Sequence, residues 1–390
     1  MGALTLTNLI TPIMAAFNVI SREQVGFIPA VSRDAQATRA AVGQYVTSPV
    51  VGTMAAEDLT PAAYAADTPN QTIGNVQMTI AKARSVPFGV TGEESLGLRN
   101  SGNLDTVNRD RIAQALRTLT NEVEADLAAL HVEASRAYGT AGTTPFGTGA
   151  DLSDFAQARK ILDDNGSPQS DMHMVLGSAA VANIRGKQSS LFKVNEAGSE
   201  TMLRTGSISS DPVDGFLLHN SGQVKKAVTS GTGASATTNN AGYAVGATVI
   251  TLASAGTGTI LAGDVITFAG DINKYVVASG DADVSGGGTI TLAEPGLVQA
   301  IPAAATNITV VAASTRNMFF HRSAIQLATR APAMPEGGDD ADDVMIVTDL
   351  VSGIAYEFCI YKQKRQVRYE VNLAWGVKMI APRHCGILLG

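Results

Sequence analysis

Apolar side chains recur at intervals of three and four near the start of the chain, at Leu6, Leu9, Ile10, Ile13, Met14, Phe17 and Ile20. That spacing predicts an amphipathic helix over Leu4 to Arg22, bent or shortened by Pro12. Its greasy face must be covered by its own domain or by another molecule, and the pattern leaves both open. The period then drops to two from Ala41 to Val51 and from Thr72 to Phe88, where Val76, Met78 and Ile80 alternate with Gln77, Thr79 and Ala81. This is the pattern of a half-buried ribbon. Between the two strands, Gly52 to Pro69 is rich in Ala, Asp, Thr and Pro and cannot build a core, which predicts an extended loop ordered by what it touches.

A single apolar stripe follows, Ile112, Leu116, Leu119, Val123, Leu127 and Leu130, with Asp105 or Thr106 as cap and Tyr138-Gly139 as stop. A helix of that span is a rod of roughly 45 Å. Its charges run against the helix dipole: Arg109, Arg111 and Arg117 lie in the first half, and Glu122, Glu124, Asp126 and Glu133 in the second. Either the cost is tolerated or the two halves meet opposite charge on other elements or subunits. Further on, Leu152 to Asp164 and Ser178 to Arg185 read as helices and Met172 to Leu176 and Gly215 to Leu218 as strands. The chain finishes in strands at Asn317 to His321, Ile354 to Tyr361, Gln366 to Leu373 and a last run through Leu388.

Within this α+β pattern sits a Gly/Thr/Ala-rich stretch, residues 222–314. It carries short strands at Val249–Leu252, Gly263–Gly270, Lys274–Val277, Thr289–Leu292 and Asn307–Val311. Gly, Asp and Asn punctuate it every ten residues or so, which predicts an inserted all-β unit, a small closed barrel or sandwich. Its charge is light: Lys225, Lys226 and Lys274 against Asp264, Asp271, Asp281, Asp283 and Glu294. It does not read as a clamp on DNA.

Composition narrows the classes. The 390 residues suffice for two or three domains, and 45% hydrophobic against 16% charged residues excludes general disorder. A net charge of −7 disfavours sequence-specific nucleic-acid binding. The two cysteines, Cys359 and Cys385, sit in apolar runs and read as buried thiols. No basic residue precedes Arg22, so the start lacks a signal-peptide character, and no apolar run reaches membrane-spanning length.

Catalytic and cofactor signatures are not found. The five histidines, His131, His173, His219, His321 and His384, are scattered without ligand spacing. Gly231 to Ala236 mimics a dinucleotide fingerprint but lies in a polar tract, without a strong strand before it or a helix after it. Gly186-Lys187 lacks the earlier glycine of a phosphate loop, and the acidic run Asp339, Asp340, Asp342, Asp343 lacks the register of a calcium loop. No catalytic residue, cofactor or metal site is assigned, and an enzyme is not expected. Trp375, the one tryptophan, reads as core.

In order, these pieces resemble the tailed-bacteriophage major capsid proteins, whose fold is shared with encapsulins and herpesvirus shells. More narrowly they resemble podovirus-type coat proteins with an inserted β-barrel. The supporting motifs are Gly26 to Val31, Arg204 to Gly206 followed by Gly215-Phe216, Asn317 to Ala324, and Leu373 to Val377 leading to Pro382. The resemblance implies an N-terminal arm at 1–35, an extended loop and ribbon at 36–92 and a spine helix region at 93–140. It also implies an axial and peripheral α/β domain at 141–221 with 315–390, and the inserted barrel at 222–314.

The implied function is assembly into hexamers and pentamers of an icosahedral head around dsDNA, in the virion after synthesis in bacterial cytoplasm. The implied partners are copies of itself, a separate scaffolding protein, a portal and a decoration protein, with DNA held non-specifically and no membrane. Candidate contacts are Met54, Glu57, Asp58, Leu59, Tyr64 and Asp67 at the loop tip and Leu9, Ile13 and Phe17 in the arm. The spine would pack through Ile112, Leu116, Leu119, Val123 and Leu127. An encapsulin-like compartment is the alternative, and the insert argues against it; an extracellular β-rich adhesin leaves the long helix unexplained.

Overall fold

The computed structural model describes residues 13–16, 26–50, 74–100, 102, 104–188, 208, 212–224, 227–349 and 352–390. After one helical turn at 13–16, a short helix α1 (Phe27–Ala30) leads into β1 (Ser32–Ala40). Then come β2 (Tyr45–Val50), β3 (Gly74–Thr79), β4 (Lys82–Thr91), α2 (Gly92–Asn100) and the long helix α3 (Leu104–Ala129). A 3-10 turn at Leu130–Glu133 joins α3 to β5 (Arg136–Tyr138). The host α/β unit continues with α4 (Ser153–Asp164), β6 (Met172–Leu176), α5 (Ser178–Lys187) and β7 (Phe216–Asn220).

The expected insert follows as β8 (Ala236–Thr237), β9 (Val249–Leu252), β10 (Val265–Phe268), β11 (Lys274–Ser279), β12 (Gly288–Leu292) and β13 (Asn307–Val310). The chain ends with β14 (Arg316–His321), β15 (Ile325–Pro332), β16 (Asp343–Thr348), β17 (Ala355–Gln363), β18 (Gln366–Met379) and β19 (Cys385–Leu389).

The first sheet is built on β18. β4 runs antiparallel along one edge of it, from Thr91 opposite Gln366 to Lys82 opposite Trp375. The other edge is shared by β17, which pairs with its first half, and β15, which pairs with its second. β16 borders β17, and β1 pairs in parallel with β15. The expected strand from Thr72 to Phe88 therefore breaks near Ile80-Ala81 into a ribbon strand and a strand of the body. β1 was hidden in the sequence because Ser32–Ala40 is polar and carries no clear alternation. Charge holds it instead: the buried Arg330 donates from Nη1 to Asp34 O at 2.6 Å and from Nη2 to Asp34 Oδ2 at 2.8 Å. Arg39 Nη2 lies 2.5 Å from the buried Glu357 carboxylate.

α3 ends nearer its start than the sequence suggested. It spans 26 residues, and Arg136–Tyr138, expected to close the helix, is a strand of the second sheet. Asp105 and Thr106 lie inside its first turn and not at its cap. The five stripe residues Ile112, Leu116, Leu119, Val123 and Leu127 are all buried in the main core, together with Phe358, Val371, Leu373 and Trp375 of the first sheet. Each such side chain contributes about 1.5–3 kcal/mol of burial.

The second sheet runs β7-β6-β14-β19-β5 through the host and then continues into the insert through β11. Helices α4 and α5 cover one of its faces around Phe155, Ile184, Phe216 and Phe319. In the insert, β10 pairs with β11 and β13, β13 with β8, and β12 with β11 and β9. Ala253 N donates to Thr237 O and Asn239 N to Thr251 O, so the hydrogen bonding returns from β9 to β8. The strands enclose an apolar cluster drawn from the insert alone, including Ile250, Ile266, Phe268, Tyr275, Ile290 and Ile308. The insert is nevertheless joined to its host: β11 pairs with β5 at Lys274 opposite Ala137 and Tyr275 opposite Arg136.

At the centre of the molecule is a buried acid. Glu124 of α3 accepts hydrogen bonds from Phe27 N (3.1 Å), Ile28 N (2.7 Å) and Ser221 Oγ (2.9 Å). The free amides that open a helix are a natural seat for a carboxylate. Burial pushes its carboxyl above the ordinary range, against the pull of those bonds. Glutamine offers one acceptor oxygen where the carboxylate offers two. Glu124→Gln is expected to leave at least one donor unpaired and cost about 1–3 kcal/mol, read as a lowered denaturant midpoint. Ser221→Ala, which removes one bond of the three, is expected to cost less; equal midpoints for wild type and Glu124→Gln would contradict this account.

Candidate functional site

The ribbon stands apart from both large sheets. β2 and β3 pair with each other from Tyr45–Thr79 to Val50–Gly74, and among the described residues neither pairs with a third strand. Burial falls along its length: Ile80 and Met78 are buried, Val76 is half-buried, and Asn75 and Gly74 are exposed. Only the base docks, where Met78 and Ile80 pack with Ala40, Ala328 and Ala374. Val42 and Tyr45 beside the base are 59% and 61% exposed. An isolated two-stranded ribbon is marginal in water and gains stability from a partner surface. The proposed tip residues Met54, Glu57, Asp58, Leu59, Tyr64 and Asp67 lie outside the described residues.

Helix α2 adds to this outer face. It contains no buried residue, and Leu96 is 60% exposed. No periodicity announces it, since Gly92–Asn100 has neither an apolar stripe nor a hydrophobic anchor. Its start is closed by a local exchange, Thr91 N to Glu94 Oε2 and Glu94 N to Thr91 Oγ1.

In the arm, Leu9 and Phe17 lie outside the described residues. Ile13 is fully buried in the chain's own main core, where a small recess is lined by Phe88, Ile112, Phe358 and Tyr369. Of the two covers open to the arm helix, this turn takes the chain's own body.

The reversed charges of the long helix find partners inside the chain over its second half. Asp126 accepts from Lys82 Nζ at 2.6 Å and from the indole Nε1 of the buried Trp375 at 2.8 Å. Glu122 faces Arg84 at 3.5 Å, and Glu133, in the 3-10 turn just past the helix, faces Lys378 at 3.5 Å. With Glu124 on the α1 amides, each of these acids is used to fasten another element to the spine. In the first half, Arg109 pairs with Asp110, Arg111 reaches Gly89 O, and Arg117 reaches Gln114.

Other sequence candidates have structural explanations. The amides of Gly231, Gly233 and Ala234 go to Asp264, Thr259 O and Thr257 O, so the fingerprint-like run has no free cradle for a phosphate. Lys274 and Asp264, two of the insert's few charges, brace it. Lys274 Nζ donates to Gly139 O, and Asp264 is 2% exposed and accepts from Gly231 and Leu261 amides. In the acidic loop, Asp339 accepts from Tyr361 Oη and Asp342 pairs with Lys362. Cys359 and Cys385 are both free and buried, and burial pushes their thiols up, which suppresses thiolate chemistry. Among the described residues no group of three His, Cys, Asp or Glu side chains is placed to hold a metal, and no helix is long and apolar enough to cross a membrane.

One grouping was missed. Four of the five histidines come together at one end of the host sheet, with His173 and His219 ring to ring and His321 against His384. No linear spacing could reveal it, because the four sit on four separate elements.

No known family profile matches the chain, and no curated protein matches it in sequence. Solved structures similar to it include one from Mycobacterium phage Che8, at 13% identity and a TM-score of 0.45, covering 89% of this chain and 84% of that one. The capsid structure of the cyanophage P-SCSP1u is similar at 10% identity and a TM-score of 0.47, covering 93% and 87%. A virus-like particle from Pyrococcus furiosus is similar at 9% identity and a TM-score of 0.42, covering 98% of both chains. At these identities and scores, the likenesses by themselves assign neither activity nor partner.

The graded burial of the ribbon makes its base the place to weaken it. Met78→Ala removes the buried anchor there, a change of about 2–5 kcal/mol at a packed site. The expected result is faster amide hydrogen exchange across β2 and β3 with unchanged exchange in α3. A uniform change across the chain would show that the ribbon is not separately docked.

Proposed function

We propose that this chain is the major capsid protein of a tailed bacteriophage, a mechanical building block without catalysis. Copies would close into hexamers and pentamers of an icosahedral head around packaged dsDNA. The observation that carries this reading is the β2–β3 ribbon, which leaves the body with only its base packed and borders no third strand among the described residues. A head-to-tail contact, in which the ribbon of one copy lies on the next, makes a ring when the rotation between copies closes. Helix α2, with nothing buried on any side, supplies further surface for such a contact. Many modest contacts per subunit then add to a rigid shell.

In this reading the tip at 55–69 and the arm outside its buried Ile13 turn reach neighbouring subunits, and α3 is the spine against which each copy is braced. The insert is an all-β barrel domain at 222–314, standing on the host through the β5–β11 pairing and the Lys274 contact with Gly139. Scaffolding protein, portal and decoration protein are the partners expected of a shell assembled in a bacterial cytoplasm. The tailed-phage resemblance supports all of these assignments, and the capsid named for the cyanophage relative agrees with it. An encapsulin-like compartment is the second reading, and the virus-like particle relative keeps it in view. The cargo separates the two, nucleic acid for a phage head and protein for a compartment.

Electron microscopy of the purified protein is expected to show closed shells or tubes of rings. A uniform small monomer under assembly conditions would refute the shell reading. Deleting 55–69 is expected to leave folded, soluble subunits that assemble poorly, measured by sedimentation; wild-type shell yields from the deletion would refute the tip assignment.

A further inference from the structure

A cavity of about 660 Å³ lies beyond the carboxyl ends of β5 and β19, bordered there by Tyr138, Leu388 and Leu389. β5, β6, β7 and β19 all run in the same direction, with β14 against them. In open α/β sheets the crevice outside such strand ends is where ligands bind. The loop that follows β5, residues 139–149, forms one wall, and α5 supplies Asn183 and Lys187.

The loop is fastened to the body by its carbonyls. Lys274 Nζ donates to Gly139 O and Asn183 Nδ2 to Pro145 O at 2.9 Å. Gln188 Nε2 donates to Phe146 O at 3.2 Å and to Thr148 O at 2.7 Å. Donors are left over. Among the described residues, the amides of Gly142, Thr144 and Thr148 meet no acceptor, nor do the hydroxyls of Thr140, Thr143, Thr144 and Thr148. Lys187 Nζ likewise makes no hydrogen bond or ion pair among them. Tyr138 adds one more donor: burial first, then Asp154 and Asp151, push its phenol up, so it keeps its proton.

The loop holds its shape at a cost. Phe146 and Ala150 adopt φ of 59° and 56° without being glycine. Phe146 is pinned by its buried ring, 4.3 Å from that of Phe155, and by its amide, which donates to Asp154 Oδ2 at 2.6 Å. That bond engages one oxygen of Asp154, the acid on the cavity wall. Beside it, Gly147 leaves a notch. A Cβ there would lie 3.2 Å from Thr144 O, 3.9 Å from Asn183 Nδ2 and 4.0 Å from Lys187 Nζ, in the space before the ammonium.

We propose that this cavity binds a phosphate group, seated in the notch at Gly147 and held by Lys187 Nζ with the leftover amides and hydroxyls of the loop. A wall of donors around one cation, with its carbonyls engaged elsewhere, is matched to an oxyanion. The volume exceeds that of a bare phosphate and leaves room for an attached polar body against Tyr138 and Asp154. The site belongs to the host unit and does not depend on the capsid reading.

Hydrogen exchange of the intact chain, in phosphate and in chloride at matched pH and ionic strength, tests it. Phosphate is expected to slow exchange at 140–148 about threefold or more, saturably, with α3 unchanged. Lys187→Gln removes the cation, and Gly147→Ala fills the notch. Each is expected to lose most of the slowing while exchange of α4 in chloride stays as in the wild type. Equal exchange in the two salts, slowing undiminished in either variant, or slowing spread evenly over the chain would overturn the proposal. Ribose 5-phosphate at the same concentration separates the two sources of the group: stronger protection than phosphate assigns an ester, equal protection the free ion.

Discussion

A carboxylate in the middle of the long helix holds three distant parts of the chain at one point. Glu124 takes the opening amides of α1, just ahead of β1, and the hydroxyl of Ser221, just beyond β7. Such a group is costly to bury and stable only when its oxygens are filled, so the segments that fill them are fixed together. Gly26 belongs to the same arrangement. A Cβ there would sit 2.9 Å from the carbonyl of Asn220 and the Ser221 side chain, closer than a real Cβ contact. The arm root, the spine and the insert root therefore converge where only glycine fits.

From that point the molecule divides into a braced body and surfaces that remain open. The body uses the spine twice. One stripe buries Ile112 to Leu127 against the first sheet, and the flanking acids hold Lys82, Arg84, Trp375 and Lys378. The open surfaces are of a different kind: a ribbon packed only at its base and a helix with nothing buried. Rigid support behind incomplete surfaces is what a subunit of a closed shell requires, because the energy of assembly is wasted if the body yields.

The insert is self-contained in its core and shared in its backbone. Its apolar cluster draws on its own strands, yet β11 divides one edge between β12 and β5 of the host. Val265, Val276 and Ala293 reach through to the main core. An insert attached in this way is held by hydrogen bonds, apolar contact and the Lys274 brace at once, not by its two chain connections alone.

Local pattern determined a great deal. The alternation at Val76, Met78 and Ile80, the stripe from Ile112 to Leu127, and the short punctuated strands of the insert are each legible because one face of each element is buried and the period shows which. Where burial does not decide, the sequence is silent: β1 is polar and held by ion pairs, α2 has no buried face, and β5 is three residues long. The order of elements suggested a shell protein, while its proposed contact residues in the tip and most of the arm fall outside the described structure. Tertiary structure alone decided the partners of the spine acids, the seat of Glu124 and the gathering of four histidines from four elements. The physical reason is that periodicity records which side of an element meets apolar matter, whereas a hydrogen bond between side chains tens to hundreds of residues apart leaves no trace until the chain has folded.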